Sequence, residues 1–186
     1  MDKHEDMILN AIYSRRSIRR YKEKEVEKEK IIKLLHAGMA APSACNLQVW
    51  EFIVVSEKNV LDKLKSVISQ GDYNAPLAMV ICANTVNVPW TGDGWVVDCS
   101  AAVENMLIAA TALELGSVWL GSHNEEEVRN LLHIPEHIHV MNIVYFGYPD
   151  EEKTPNTKYT EEAVYWQEYD KERSRIMRTM DDLFKS

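Results

Sequence analysis

Arg15, Arg16, Ser17 and, two residues on, Arg19 form the first set of side chains with an obvious chemistry. Guanidinium groups grip phosphate oxygens as planar bidentate forks, and a serine hydroxyl adds a short donor beside them. The set follows a short helical pattern, so its side chains can converge on one point. The same residues would also suit a solvated basic helix end interacting with the helix dipole. A second polar stretch runs Pro42-Ser43-Ala44-Cys45-Asn46-Leu47-Gln48-Val49-Trp50-Glu51-Phe52. Pro42 stops a helix, because its ring clashes with the preceding turn and it has no N–H to donate. Ser43, Asn46 and Gln48 then supply hydrogen-bonding side chains between an apolar helix and an apolar strand. A connection of that kind either faces a ligand or is a solvated loop.

Other chemistries have less support. His133, His137 and His139 are close in sequence, but Pro135 breaks the helix that would align the first two. No Asp or Cys completes a ligand set, so no metal site is expected. His36 and His123 stand alone and read as structural. There is no G-x-S-x-G and no P-loop, and Cys45 has no evident histidine partner. Leu115 to Gly121 does not fit the dinucleotide fingerprint G-x-G-x-x-G. An anion site without acid–base or nucleophile signatures leaves the chemistry to a cofactor.

The elements that must position these residues follow from periodicity. Residues 4–13 read as a helix, with Met7, Ile8, Ala11 and Ile12 on one stripe. Lys22 to Lys30 reads as a charged, solvated helix start. Val26, Ile31, Ile32, Leu34 and Leu35 form the buried face of a second helix. Trp50 to Val55 is strand-like, and Val60 to Ile68 is helical, ended by Gly71. Ala78 to Ala83 is a continuous apolar run, as expected of a strand buried on both faces. Residues 84–94, with Pro89, Trp90, Gly92 and Gly94, form a loop. Trp95 to Leu115 is apolar nearly all round and must be buried on more than one side, with Gly116 as its C′ glycine. Val118 to Gly121 is a short strand or turn. Asn124 and Glu127 cap a helix to Leu132. His139 to Phe146 is a strand. From Asp150 the chain turns charged and polar, with a short helix expected over Glu161 to Tyr169 and a thin stripe of Ile176, Met180 and Leu183. Strands alternating with helices give a single α/β or α+β domain over 1–186, with 150–186 as a C-terminal extension.

The chain has 186 residues and a net charge of −8, which argues against nucleic acid or an anionic membrane as partner. Cys45, Cys82 and Cys99 form no C-x-x-C, which suits a reducing compartment. The N-terminus has no signal-peptide core and no stretch approaches a membrane span. A cytoplasmic protein is expected.

Four ordered motifs carry a resemblance. They are Arg15-Arg16-Ser17-x-Arg19, Pro42-Ser43-Ala44-x-Asn46-x-Gln48-x-Trp50-x-Phe52, Asp98-x-Ser100-Ala101-Ala102-x-Glu104-Asn105-Met106-Leu107 and Gly116-Ser117-x-Trp119-x-Gly121. In order and spacing, over about residues 7 to 169, the chain resembles the FMN-dependent nitroreductase family. The resemblance implies an intertwined homodimer, a three-layer sheet with surrounding helices, and FMN at the subunit interface. It implies hydride uptake from NADH or NADPH and reduction of a small-molecule electron acceptor, such as a nitro compound or quinone, in a ping-pong cycle. Arg15 and Ser17 would bind the phosphate, with Arg16 beside them. Arg19 would reach the pyrimidine edge and stabilise the charge of the reduced ring. Pro42, Ser43, Ala44, Asn46 and Gln48 of the other subunit would line ring and ribityl chain. Trp119, Leu120 and Gly121 would offer backbone groups near the reactive face, and Lys158 would be a further phosphate cation. No side chain is assigned the catalytic step, since the flavin carries it. The extension from 150 would pack on the partner. Val49 stands where the family commonly has Pro, which implies a less rigid turn. The short loop from Val86 to Gly94 favours a generalist reductase over a dehalogenase or flavin-fragmenting branch, and a flavin-binding module without turnover is the remaining alternative.

Overall fold

The strand Leu77–Asn84 (β2) organises the molecule, because its apolar run leaves no polar face to turn to water. Every side chain from Leu77 to Ala83 is buried, so both faces of the sheet must be covered. The computed structural model describes residues 3–68, 73–89, 92–121, 123–154, 159–175, 177 and 179. Around β2 stand Trp50–Val55 (β1), Gly116–Leu120 (β3) and Ile138–Gly147 (β4). They form one four-stranded sheet in the order β1-β2-β4-β3, and every neighbouring pair is antiparallel.

The helices are Lys3–Ser14 (α1), Lys28–Met39 (α2), Lys58–Ser66 (α3), Gly94–Ala112 (α4) and Glu125–Leu132 (α5). Alternation along the strands separates two cores. Val80, Cys82, Ile143 and Tyr145 meet Leu61 and Leu64 of α3 and Val128 of α5. Met79, Ile81, Val144 and Phe146 meet Leu34 of α2 and Val103, Met106 and Ala110 of α4. The result is a three-layer α+β arrangement. Each fully buried Leu, Ile, Val or Phe adds roughly 1.5–3 kcal/mol to the drive for that layering. The thiols of Cys82 and Cys99 are buried too, and burial pushes both up to about 12.

Several expected boundaries shift. The charged run before α2 is not helical, since the helix begins at Lys28. Val26 therefore precedes the helix, and Ile32 is 43% exposed instead of lying on its buried face. Helix α4 ends at Ala112, and Glu114 takes the left-handed turn with φ 61°. Gly116 is thus no helix cap but the first residue of β3. It is glycine because a Cβ there would lie 2.8 Å from Cβ, Cγ1 and Cγ2 of Ile18. Asn124 caps α5 as expected, accepting from the backbone N–H groups of Glu126 and Glu127. The helix expected over Glu161 to Tyr169 shrinks to a 3-10 turn, Glu161–Ala163. Gly71 and the stripe Ile176, Met180 and Leu183 lie outside the described residues.

The chain divides into two units, Met1–Pro155 and Asn156–Ser186. Residues 150–154 therefore belong with the first unit. In the second, Tyr165 stacks on Tyr169 at 4.3 Å and Arg173 lies 5.0 Å above Tyr165. Tyr159, Trp166 and Tyr169 are each more than 70% exposed.

Candidate functional site

The basic cluster lies along β3, the sheet's outer strand. Ser17 forms a parallel bridge with Ser117, and Ile18 N donates to Ser117 O at 2.9 Å. Gly116 makes this close approach possible. Tyr21 locks the segment from behind, its hydroxyl donating to Ile18 O at 2.6 Å and its N–H to Asn74 Oδ1 at 3.0 Å. Burial pushes that hydroxyl up, so it stays a donor.

Cations converge on Ser17. Its carbonyl accepts from Lys153 Nζ at 2.7 Å and Arg19 Nη1 at 3.4 Å. Arg15 Nε stands 3.6 Å from Glu104 Oε1 on α4. Arg16 donates to the carbonyls of Arg15 and Thr154. Its Nη2 is buried without a partner among the described residues. A buried donor left in that state costs about 1–3 kcal/mol, which an incoming anion would relieve. No described residue uses the half-buried Ser17 hydroxyl.

Glu151 holds this backbone in place. One of its oxygens accepts from the N–H groups of both Arg19 and Arg20, and it pairs with Lys153 at 3.1 Å. Burial pushes its carboxyl up, but the hydrogen bonds from Arg19, Lys153 and Arg20 outweigh burial and hold it below the usual carboxylate value. Lys153 and Glu151 were not singled out by sequence, and Glu104 stood in the third motif with no role assigned to it. Lys153 is the one cation in Asp150-Glu151-Glu152-Lys153, the only sign that it might be paired. Lys158 lies outside the described residues.

The polar turn sits at the opposite edge of the sheet, before β1. Pro42, Ala44, Asn46 and Gln48 are exposed, and Ser43 is half-buried. Its backbone is unusual: Cys45, Asn46 and Gln48 have φ of 50°, 56° and 50°. Non-glycine residues in the left-handed region persist only where surroundings hold them there. Here Ser43 Oγ accepts from Gln48 N at 3.0 Å, and Asn46 Oδ1 accepts from Gln48 Nε2 at 3.0 Å. Asp98 of α4, itself only 8% exposed, accepts from Ala44 N at 3.1 Å. Val49 is buried and its carbonyl accepts from Asn84 N at 2.8 Å. Losing Pro at 49 thus leaves a turn fixed by other means.

Trp119, Leu120 and Gly121 stand toward the far end of β3 from Ser17, roughly 7 to 13 Å along the strand from its partner Ser117. Leu120 is buried and Trp119 half-buried, whereas Gly121 is exposed. By residue type, Tyr73, Trp90 and Trp95 could line the open side of the site or equally pack in core or surface. Tyr73 packs edge-on against Tyr145 at 6.3 Å within the α3 and α5 core, so it does not line the site. Trp95 stacks on His139 at 4.8 Å. Trp90 lies outside the described residues.

The chain therefore brings the cation row and the Trp119–Gly121 segment together on one strand, and keeps the 42–48 turn apart. Three inter-strand spacings, roughly 14 Å, separate β1 from β3 in the sheet order.

This architecture is a known one. The model of the nitroreductase family matches residues 12–76 and 73–148, and the chain belongs to that family. An Archaeoglobus fulgidus protein, provisionally described as an NADH dehydrogenase/NAD(P)H nitroreductase, is 47% identical over 151 residues, covering 78% of this chain and 87% of its own. A crystal structure from Parabacteroides distasonis with the same provisional description superposes with a TM-score of 0.81 at 37% identity, covering 87% of this chain and 98% of that one. An FMN-dependent nitroreductase from Clostridium difficile R20291 superposes with a TM-score of 0.75 at 35% identity, covering 87% and 99%.

Proposed function

We propose that the protein is a homodimeric flavin oxidoreductase that binds FMN, takes hydride from NADH or NADPH and reduces nitro compounds, quinones or similar acceptors in a ping-pong cycle. The observation that carries this is the placement of the two polar motifs on opposite edges of one sheet. A ligand held by both motifs needs two copies of the chain. Relatives described as NAD(P)H nitroreductases and as an FMN-dependent nitroreductase supply the activity and the cofactor.

The donor set fits a phosphorylated ring. The cation row offers Arg16 Nη2 and the Ser17 hydroxyl, neither with a partner among the described residues, and the guanidinium of Arg15 to a phosphate. Strand β3 leads from that row to the exposed Gly121, which suits an anion at one end of a ligand and a flat ring at the other. Arg19 is exposed and would face the ring's pyrimidine edge. Gln48, which both donates and accepts, would meet the alternating edge of the partner's ring. Bound FMN would supply the hydride and electron transfer that no side chain here can perform. The residues' own task is to bind, orient and neutralise charge.

Met7, Ile8, Ile12 and Tyr13 of α1 and Val97 of α4 are between 41% and 70% exposed. An apolar surface of that kind suits a subunit interface. The segment beyond 155, with Lys158 and its exposed aromatics, would pack on the partner. No described helix is long and apolar enough to cross a membrane.

Purified protein should be yellow and should release FMN on denaturation. Its visible absorbance should bleach with NADH or NADPH without oxygen and return on adding a nitro compound or quinone. Colourless protein that takes up no FMN would overturn the reading. Bound FMN that neither nicotinamide reduces would point to a binding module instead.

A further inference from the structure

Strand β4 carries a bulge beside the exposed end of β3. Its pairing with β2 shifts between Ile81, opposite Asn142, and Cys82, opposite Val140, so Met141 is the extra residue. A bulge breaks the in–out alternation and re-aims the side chains next to it. Here Met141 joins the α4-side core, and Asn142 reaches Trp119, which packs against that same core.

The contact fixes the orientation of the amide. Trp119 Nε1 donates to Asn142 Oδ1. An indole N–H can only donate, so the oxygen of Asn142 must face Trp119 and its NH2 must face away. This decides a choice that an isolated amide leaves open. No described residue accepts from Asn142 Nδ2. Among the described residues, a Cβ on Gly121 would meet only Asn142 Oδ1, at 3.9 Å, and Nδ2 lies farther out. A half-buried amide thus borders the place where a ligand can rest on backbone, its oxygen held by Trp119 and its NH2 group facing onward with no described acceptor.

We infer that Asn142 contacts the ligand, donating Nδ2–H to a carbonyl oxygen or ring nitrogen on the edge of the heteroaromatic ring laid over Gly121. Trp119 is the positioning residue that presents this donor. The inference rests on the flavin reading and adds a residue on β4, outside the motifs that suggested it. A donor at that edge favours the electron-rich form of the ring, so it raises the midpoint potential as well as the affinity. The sequence offers one hint: Asn142 interrupts the apolar run from Val140 to Phe146.

The test compares wild type with Asn142→Asp, Asn142→Leu and Trp119→Phe. FMN affinity of the apo-proteins is read by fluorescence quenching, and midpoint potential by spectroelectrochemistry. Asn142→Asp still accepts from Trp119 but has no donor and adds negative charge. It should raise the FMN Kd at least tenfold and lower the potential. Asn142→Leu should change both in the same direction by less. Trp119→Phe, which frees the amide to turn, should have the smallest effect of the same sign. Asn142→Asp and Asn142→Leu proteins with wild-type affinity and potential would overturn this inference alone. Wild type that binds no FMN would overturn the flavin reading and this inference with it. If the Asp variant does not fold, the Leu and Phe variants decide by the same criteria.

Discussion

Under the proposed function, the two edges of the sheet would hold a ligand in different ways. Along β3 the means are charged side chains: Arg15, Arg16, Arg19 and Lys153 gather round Ser17, with Glu104 and Glu151 keeping like charges in place. Beside β1 the means are backbone geometry: left-handed residues at 45, 46 and 48, fixed by Ser43, Asn46 and Asp98. The first edge can recognise an anion at a distance, because charge reaches through space. The second reads shape and a hydrogen-bonding pattern, and only at contact.

Breaking the charged edge should have the largest effect. Charge-assisted hydrogen bonds contribute about 1.5–3 kcal/mol each, so Arg15→Ala should weaken FMN binding by roughly 10- to 100-fold. Added salt should weaken the wild type more than the variant in the same fluorescence titration. Gly116→Ala comes next. Its Cβ would push Ile18 off β3, and overpacking of this sort costs typically 1–3 kcal/mol. Urea unfolding should show that loss, and FMN binding should weaken with it because Ser17 moves too.

The shape-reading edge should be gentler. Asp98→Ala leaves Ala44 N without its partner, a loss of about 1 kcal/mol. It should alter the flavin's visible spectrum more than its affinity, whereas Asp98→Asn, which keeps an acceptor, should restore the spectrum. The smallest effect is a pH dependence. Glu151 is held below its ordinary value of 4.5, first against burial and then by the Arg19, Lys153 and Arg20 hydrogen bonds. A depressed carboxyl stabilises the fold above its unfolded pKa, and that contribution is lost as pH falls through the folded one. FMN affinity should therefore decline on acidification below about pH 4.5, and Glu151→Gln should flatten that limb.

Much of this was legible in the sequence. The run Ala78 to Ala83 announced a doubly covered strand because no polar residue interrupts it. Arg15 to Arg19 stood out because three arginines within five residues are a local exception in a chain of net charge −8. What sequence could not show was made by tertiary contact. Glu151 matters because it meets Arg19 and Arg20 across 131 and 132 residues of chain. Tyr73 could by type have bordered the site or packed in the core, and the α3 and α5 core holds it. Gly116 resembled a helix cap, but the demand on it came from Ile18, a residue far away in sequence.

Placing the motifs on opposite edges has a genetic consequence. Under the dimeric arrangement, a chain disabled at Arg15 and a chain disabled at Gln48 each form barren pairs with themselves. Mixed together, they assemble hybrids in which one crevice has both defects and the other has none. Two inactive alleles would then restore colour and turnover to one site of each hybrid, a rescue that a pocket built within a single polypeptide could never display.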